Sequence, residues 1–115
     1  MIMKDVITEN YKLLHGDCLE RMKEIESGSI DCVIADLPYQ ITACKWDIII
    51  PFEPMWAELR RICKPNAPMI FTASQPFTSM LVMSNIKEFK VEWIWERVKD
   101  KGREVMRAEE EIPLF

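Results

Sequence analysis

The chain predicts an α/β fold with a mainly parallel sheet flanked by helices. Three observations carry this. Two short apolar runs, Cys32-Val33-Ile34-Ala35 and Met69-Ile70-Phe71-Thr72-Ala73, have the length and composition of buried strands. Between them, Met55, Trp56, Leu59, Ile62 and Cys63 fall on one helical stripe. Strand-like and helix-like segments alternate across residues 12–96, which implies right-handed crossovers between parallel strands.

The elements follow in order. Lys12-Leu13-Leu14-His15 reads as a first short strand. Asp17 then stands as a helix N-cap, with Glu20 three residues later at the spacing of a capping box. Leu19, Met22 and Ile25-Glu26 continue at helical spacing, and Gly28 supplies the stop. Ser29-Ile30-Asp31 leads into the second strand, 32–35, and the turn Asp36-Leu37-Pro38-Tyr39 follows it directly. A loop over roughly 40–51 contains Lys45-Trp46-Asp47. The second helix spans about 53–63, entered through Pro54 and ended by Lys64-Pro65-Asn66-Ala67-Pro68. After the third strand, Ser74-Gln75-Pro76-Phe77 opens a helix over about 77–85. Lys90 to Glu96 alternates, with Val91, Trp93 and Trp95 on one face, as a final strand packed within the sheet. Lys99 to Glu111 holds four basic and five acidic residues with little apolar periodicity, as a solvated helix or a frayed tail.

With 115 residues the chain makes one small domain or part of a larger one, and 49% apolar residues suffice for a packed core. No apolar stretch approaches the roughly 20 residues that span a membrane. Met1-Ile2-Met3-Lys4-Asp5 has no long apolar segment behind it, so no signal peptide is expected. Cysteines 18, 32, 44 and 63 lie far apart, and with the single histidine, His15, they form no zinc spacing. Reduced thiols in a cytoplasmic protein, and no metal, are the expectation. The net charge is −4: residues 1–40 carry −4, residues 41–86 carry +1 and residues 87–115 carry −1. No segment is a phosphate-binding stripe, so a DNA substrate would need most of its phosphate contacts from other protein.

The chemistry concentrates in Asp36-Leu37-Pro38-Tyr39. Ligands of open α/β sheets bind at the carboxyl ends of the strands, and this turn stands at one. An exocyclic amine on adenine or cytosine is a poor nucleophile because its lone pair is delocalised into the ring. Two acceptors in tetrahedral directions can hold its hydrogens, one from the Asp36 carboxylate and one from the Leu37 carbonyl. Pro38 forces the residue before it into an extended conformation and so directs that carbonyl. Tyr39 can stack on the base, which duplex DNA must first flip out. The rival reading is an ordinary Asp-x-Pro turn with a partly buried tyrosine; such a match arises by chance in roughly one chain of this length in a hundred.

From Tyr11 to Arg97 the chain resembles the amino-terminal part of amino-group DNA methyltransferases in which the catalytic motif precedes the cofactor motif. The resemblance rests on His15-Gly16-Asp17-Cys18-Leu19, Asp31 through Tyr39, Lys45-Trp46-Asp47, Pro51-Phe52 with Met55-Trp56, Lys64-Pro65-Asn66, Ser74 through Ser79 and Glu92-Trp93-Ile94-Trp95-Glu96. The ordered series is similar to phage and prophage adenine methylases, some of them parts of restriction-modification systems. It implies a partial Rossmann-like methyltransferase fold, with residues 1–97 as a catalytic half and 98–115 as a divergent charged tail. It implies methyl transfer from S-adenosylmethionine to N6 of a flipped adenine in double-stranded DNA. Asp36, Leu37, Pro38 and Tyr39 take the catalytic positions; aspartate first in the motif matches adenine rather than cytosine. Leu37 departs from the commoner proline. Asp17 and Cys18, with Asp36, match cofactor-binding positions, although Asp17 reads equally as a plain helix cap. Tyr39 matches the residue stacked on the base; Lys45, Trp46 and Asp47 sit in a loop that can close over the substrate, although a loop tryptophan is more often anchored to the core. Gln40 and Ile41 replace the glycine and threonine common there.

The family's glycine-rich methionine-binding loop is not represented, since Gly16, Gly28 and Gly102 are the only glycines. Three readings follow: an incomplete adenine methyltransferase, a non-catalytic remnant acting as an interaction module or homodimer, or one half of an enzyme completed by a separate chain. An RNA or protein-amide methylase shares the motif type. An incomplete sheet also predicts exposed strand edges and apolar surface, leading to self-association, aggregation or a rearranged terminal segment covering that surface.

Overall fold

The computed structural model describes residues 4–40, 47–100, 103–106 and 112–115. The described residues are mixed α/β, with a four-stranded sheet and three helices. It opens with a hairpin: β1 (Val6–Ile7) pairs antiparallel with β2 (Lys12–Leu13). The expected first strand at 12–15 therefore forms outside the main sheet. Thr8 makes the local turn, its hydroxyl accepting from the Asn10 and Tyr11 N–H groups at 3.2 and 3.0 Å.

Helix α1 (Cys18–Met22) is shorter than its apolar spacing predicts. Asp17 caps it, its carboxylate accepting from Leu19 N at 2.8 Å. Glu20 instead turns to Lys23 at 3.2 Å, so the reciprocal half of the capping box does not form. Arg61 limits the other end by donating to the carbonyls of Met22 and Ile25 at 2.7 and 2.9 Å.

Strand β3 (Val33–Asp36) runs parallel to β4 (Met69–Thr72), with Val33 opposite Met69 and Asp36 opposite Thr72. Helix α2 (Phe52–Ile62) lies between them in sequence and buries Met55, Trp56, Leu59 and Ile62, the stripe its periodicity predicts. Helix α3 (Phe77–Ser84) follows β4 and buries Phe77, Thr78 and Leu81. Strand β5 (Val91–Trp93) is exposed at all three residues, so Trp93, at 53% exposure, is no core residue. Beyond it, β6 (Arg97–Asp100) and β7 (Arg103–Met106) form a separate hairpin.

The last strand, β8 (Ile112–Leu114), enters between β4 and β5 and is antiparallel to both. Among the described strands only β3 and β4 are therefore parallel, where the alternating pattern predicted a mainly parallel sheet. The cause is the terminal segment, which brings an apolar anchor. Phe115 is buried and stacks near Trp56, Phe71 and Phe89 at centroid distances of 4.9, 5.6 and 5.5 Å. Met69 and Phe115 exchange two backbone hydrogen bonds of 2.8 Å each, which seats that ring in the core. The terminal segment thus completes the sheet between β4 and β5, while β3 pairs only with β4 among the described strands.

The core lies on one face of the sheet, where Met69, Phe71 and Ala73 meet α2 and α3. The opposite face carries Ile34, Ile70 and Val91 in register, and Ile34 is 78% exposed. The run 32–35 is accordingly half-buried rather than buried. An unbroken apolar run looks the same in sequence whether or not its second face is covered. No helix among the described residues is long and apolar enough to cross a membrane.

Candidate active site

Parallel pairing in register ends β3 and β4 side by side, so Asp36 and Thr72 are neighbours at the carboxyl edge of the sheet. The Thr72 hydroxyl donates to Asp36 Oδ1 at 2.6 Å. The Tyr39 hydroxyl in turn donates to Thr72 Oγ1 at 2.7 Å and lies 3.3 Å from the same carboxylate oxygen. Two side chains, Thr72 and Tyr39, thus converge on one oxygen of Asp36. Among the described residues Asp36 Oδ2 has no hydrogen-bond partner, and the residue is exposed. A carboxylate fixed at one oxygen and open at the other can accept a hydrogen from an incoming amine in a defined direction.

The turn holds this arrangement from beneath. Leu37 and Tyr39 pack against the core, and the Tyr39 ring stacks on Phe77 at 5.0 Å with planes 25° apart. One face of Tyr39 is thus backed by the first residue of α3. Gln40 follows with φ of 60°, a left-handed conformation that glycine adopts most readily. Its N–H donates to Asp47 Oδ1 at 2.8 Å, and Asp47 is buried. The acid of the Lys45-Trp46-Asp47 series therefore closes the loop. Lys45, Trp46 and Ile41 lie outside the described residues.

Asp17 and Cys18 do not join this cluster by any described contact. The Asp17 carboxylate is occupied as the cap of α1. Burial, followed by the Asp17 charge, pushes the Cys18 thiol up, so it is no activated thiolate. Cys18 lines an apolar groove of about 320 Å³ beside β3 with Met22, Val33 and Leu59, and that groove reaches neither Asp17 nor Asp36. Among the described residues, no group of three histidine, cysteine or acidic side chains is placed to hold a metal ion.

The donor set can be tested against S-adenosylmethionine, the group implied by the resemblance. Gly16 packs against the Arg21 side chain, at 3.2 and 3.3 Å from its carbons to a Cβ position, and Gly28 meets nothing within 4 Å. Neither makes a glycine turn at a strand end beside Asp36, and no described cavity joins Asp17 to Asp36. The described residues do not fit the cofactor.

Sequence reading located Asp36 and Tyr39 but missed Thr72 and Phe77. Thr72 ends β4, and its place beside Asp36 follows only from the register of the parallel pair. No family model matches the chain, and neither does any curated protein.

Proposed function

We propose that this chain supplies the amine-orienting site of a DNA adenine N6-methyltransferase and that a complementing chain must supply the methyl-donor pocket. The observation that supports this most is the Thr72–Asp36 hydrogen bond, which pins one carboxylate oxygen and leaves the other open at a strand end. An N6 hydrogen of adenine would meet Asp36 Oδ2, while the carbonyl of Leu37, directed by Pro38, would take the second. The flipped base would stack on the Tyr39 ring. Both contacts leave the nitrogen lone pair less delocalised into the ring. The Rossmann-like element of the reading rests on the parallel β3–β4 pair with its helical crossover and on the sequence resemblance.

The test is a nuclear magnetic resonance titration of the labelled chain with adenosine. Adenosine should shift the amides of Asp36, Leu37 and Tyr39, and N6,N6-dimethyladenosine, which lacks N–H donors, should not. Asp36→Ala should abolish the shifts. Equal responses to both nucleosides, or none at Asp36–Tyr39, would defeat the reading.

A second reading, a folded interaction module without catalysis, is favoured by β8 and Phe115. They close the sheet and core from within the chain's own tail. That reading predicts no nucleoside response.

A further inference from the structure

Strand β3 pairs only with β4, and its other edge has no partner among the described residues. Val33 N donates to the Pro68 carbonyl at 2.9 Å, which fixes the alternation. The N–H and C=O of Ile34 therefore point away from β4, along the free edge. Natural proteins blunt such edges with lysine, proline or a bulge. Cys32-Val33-Ile34-Ala35 has none of these, and its pairing with β4 is regular. Beside the edge lies the groove of about 320 Å³ whose walls include Met22, Val33, Ala35, Leu37 and Leu59, with no charged residue in its lining. In a chain that is 30% charged, an uncharged groove along an unprotected edge is a surface built for an apolar segment.

Charge decides what that segment is. Asp36 ends β3 and Asp31, paired with Lys64 at 2.7 Å, precedes it, and the first 40 residues carry four basic against eight acidic side chains. A second copy pairing edge to edge would bring these acids against their own kind. We propose that the free edge of β3 takes an added β-strand from a different chain, apolar at alternate residues and flanked by lysine or arginine. Main-chain hydrogen bonds to Ile34 would hold it, and its inward side chains would fill the groove. The docking does not depend on the methyl-transfer reading. Where both hold, the added strand would lie beside Asp36 and is the natural attachment point of the complementing chain.

The full chain is panned against a displayed library of random peptides, and an enriched peptide is synthesised and titrated. Enriched peptides should alternate apolar residues between basic flanks, and binding should slow hydrogen exchange at the Ile34 amide. Ile34→Lys, at a side chain 78% exposed, should keep the fold and weaken binding by roughly tenfold or more. Ile34→Pro, which deletes the edge-facing N–H, should do the same. No enrichment, acidic enriched peptides, or binding unchanged in Ile34→Lys would overturn the proposal. So would a concentration-dependent dimer abolished by Ile34→Lys, which would assign the edge to a second copy. The adenosine titration reads the Asp36 site separately, so either proposal can fail alone.

Discussion

Thr72 Oγ1 donates to Asp36 Oδ1 at 2.6 Å across the ends of two parallel strands, and this bond aims the carboxylate. Thr72→Val removes the donor to Asp36 and the acceptor for Tyr39 while keeping the shape. The loss should lower stability by about 1 kcal/mol. It should also weaken the adenosine response by roughly tenfold, an equilibrium difference of about 1.4 kcal/mol. Thr72→Ser retains the hydroxyl and should restore most of the response. Denaturant unfolding and the adenosine titration separate the two effects: a variant that loses stability but not nucleoside binding would make Thr72 purely structural.

The Phe115 ring, among Trp56, Phe71 and Phe89, holds the terminal strand in the sheet. Phe115→Ala should cost about 3–5 kcal/mol, because a buried aromatic leaves a cavity that the strand can fill only by shifting. Small domains have total stabilities of about 5–15 kcal/mol, so this variant should be largely unfolded or should release β8. Phe115→Leu should cost less, by partly filling the site. Urea unfolding monitored by tryptophan fluorescence measures both. A near-neutral Phe115→Ala would show that the tail contributes little to the fold.

Helix α2, strand β4, helix α3 and the Asp17 cap were legible because each is a local pattern: a stripe, an apolar run, a cap at a fixed offset. Strand β8 was not. It is three residues long with Pro113 at its centre, and proline argues against a central strand. Its place depends on Phe115 finding an aromatic site formed by residues some 25 to 60 positions earlier, a long-range match that periodicity cannot register. The antiparallel setting of β5 follows from β8 and was hidden with it. At the site, Asp36 and Tyr39 were legible as a motif. Thr72 was hidden because threonine is common in strands and its role comes only from register. The exposure of Ile34 was hidden because an uncovered face has no sequence signature.

Gln40 holds φ of 60° while its N–H donates to the buried Asp47. A left-handed backbone costs a residue with a Cβ about 1–2 kcal/mol, which glycine escapes at some expense in chain entropy. Gln40→Gly should therefore be neutral or modestly stabilising. Gln40→Val, with branching at Cβ, should be destabilising by about 1–2 kcal/mol. Thermal unfolding of the two variants tests this, and a destabilising Gln40→Gly would contradict it.

Asp5 ties the amino-terminal hairpin to α1. Its two oxygens face the Arg21 guanidinium at 2.7 and 2.6 Å, and Oδ1 also accepts from His15 N at 2.9 Å. The Arg21 hydrogen bonds, then the His15 N–H, hold the Asp5 carboxyl down at about 2 from its ordinary 3.8. A depressed carboxyl stabilises the folded contact above the unfolded value, and that stability is lost as pH falls from about 3.8 towards 2. The hairpin should thus stay docked at pH 5 and detach as the medium is acidified through that window. The amide resonances of His15 and Arg21, followed against pH, should report one shared transition centred well below 3.8. Asp5→Asn cannot titrate and should abolish that transition while leaving the α2–α3 core resonances in place. A transition centred at the ordinary carboxylate value would show that the Asp5–Arg21 fork does not persist in solution.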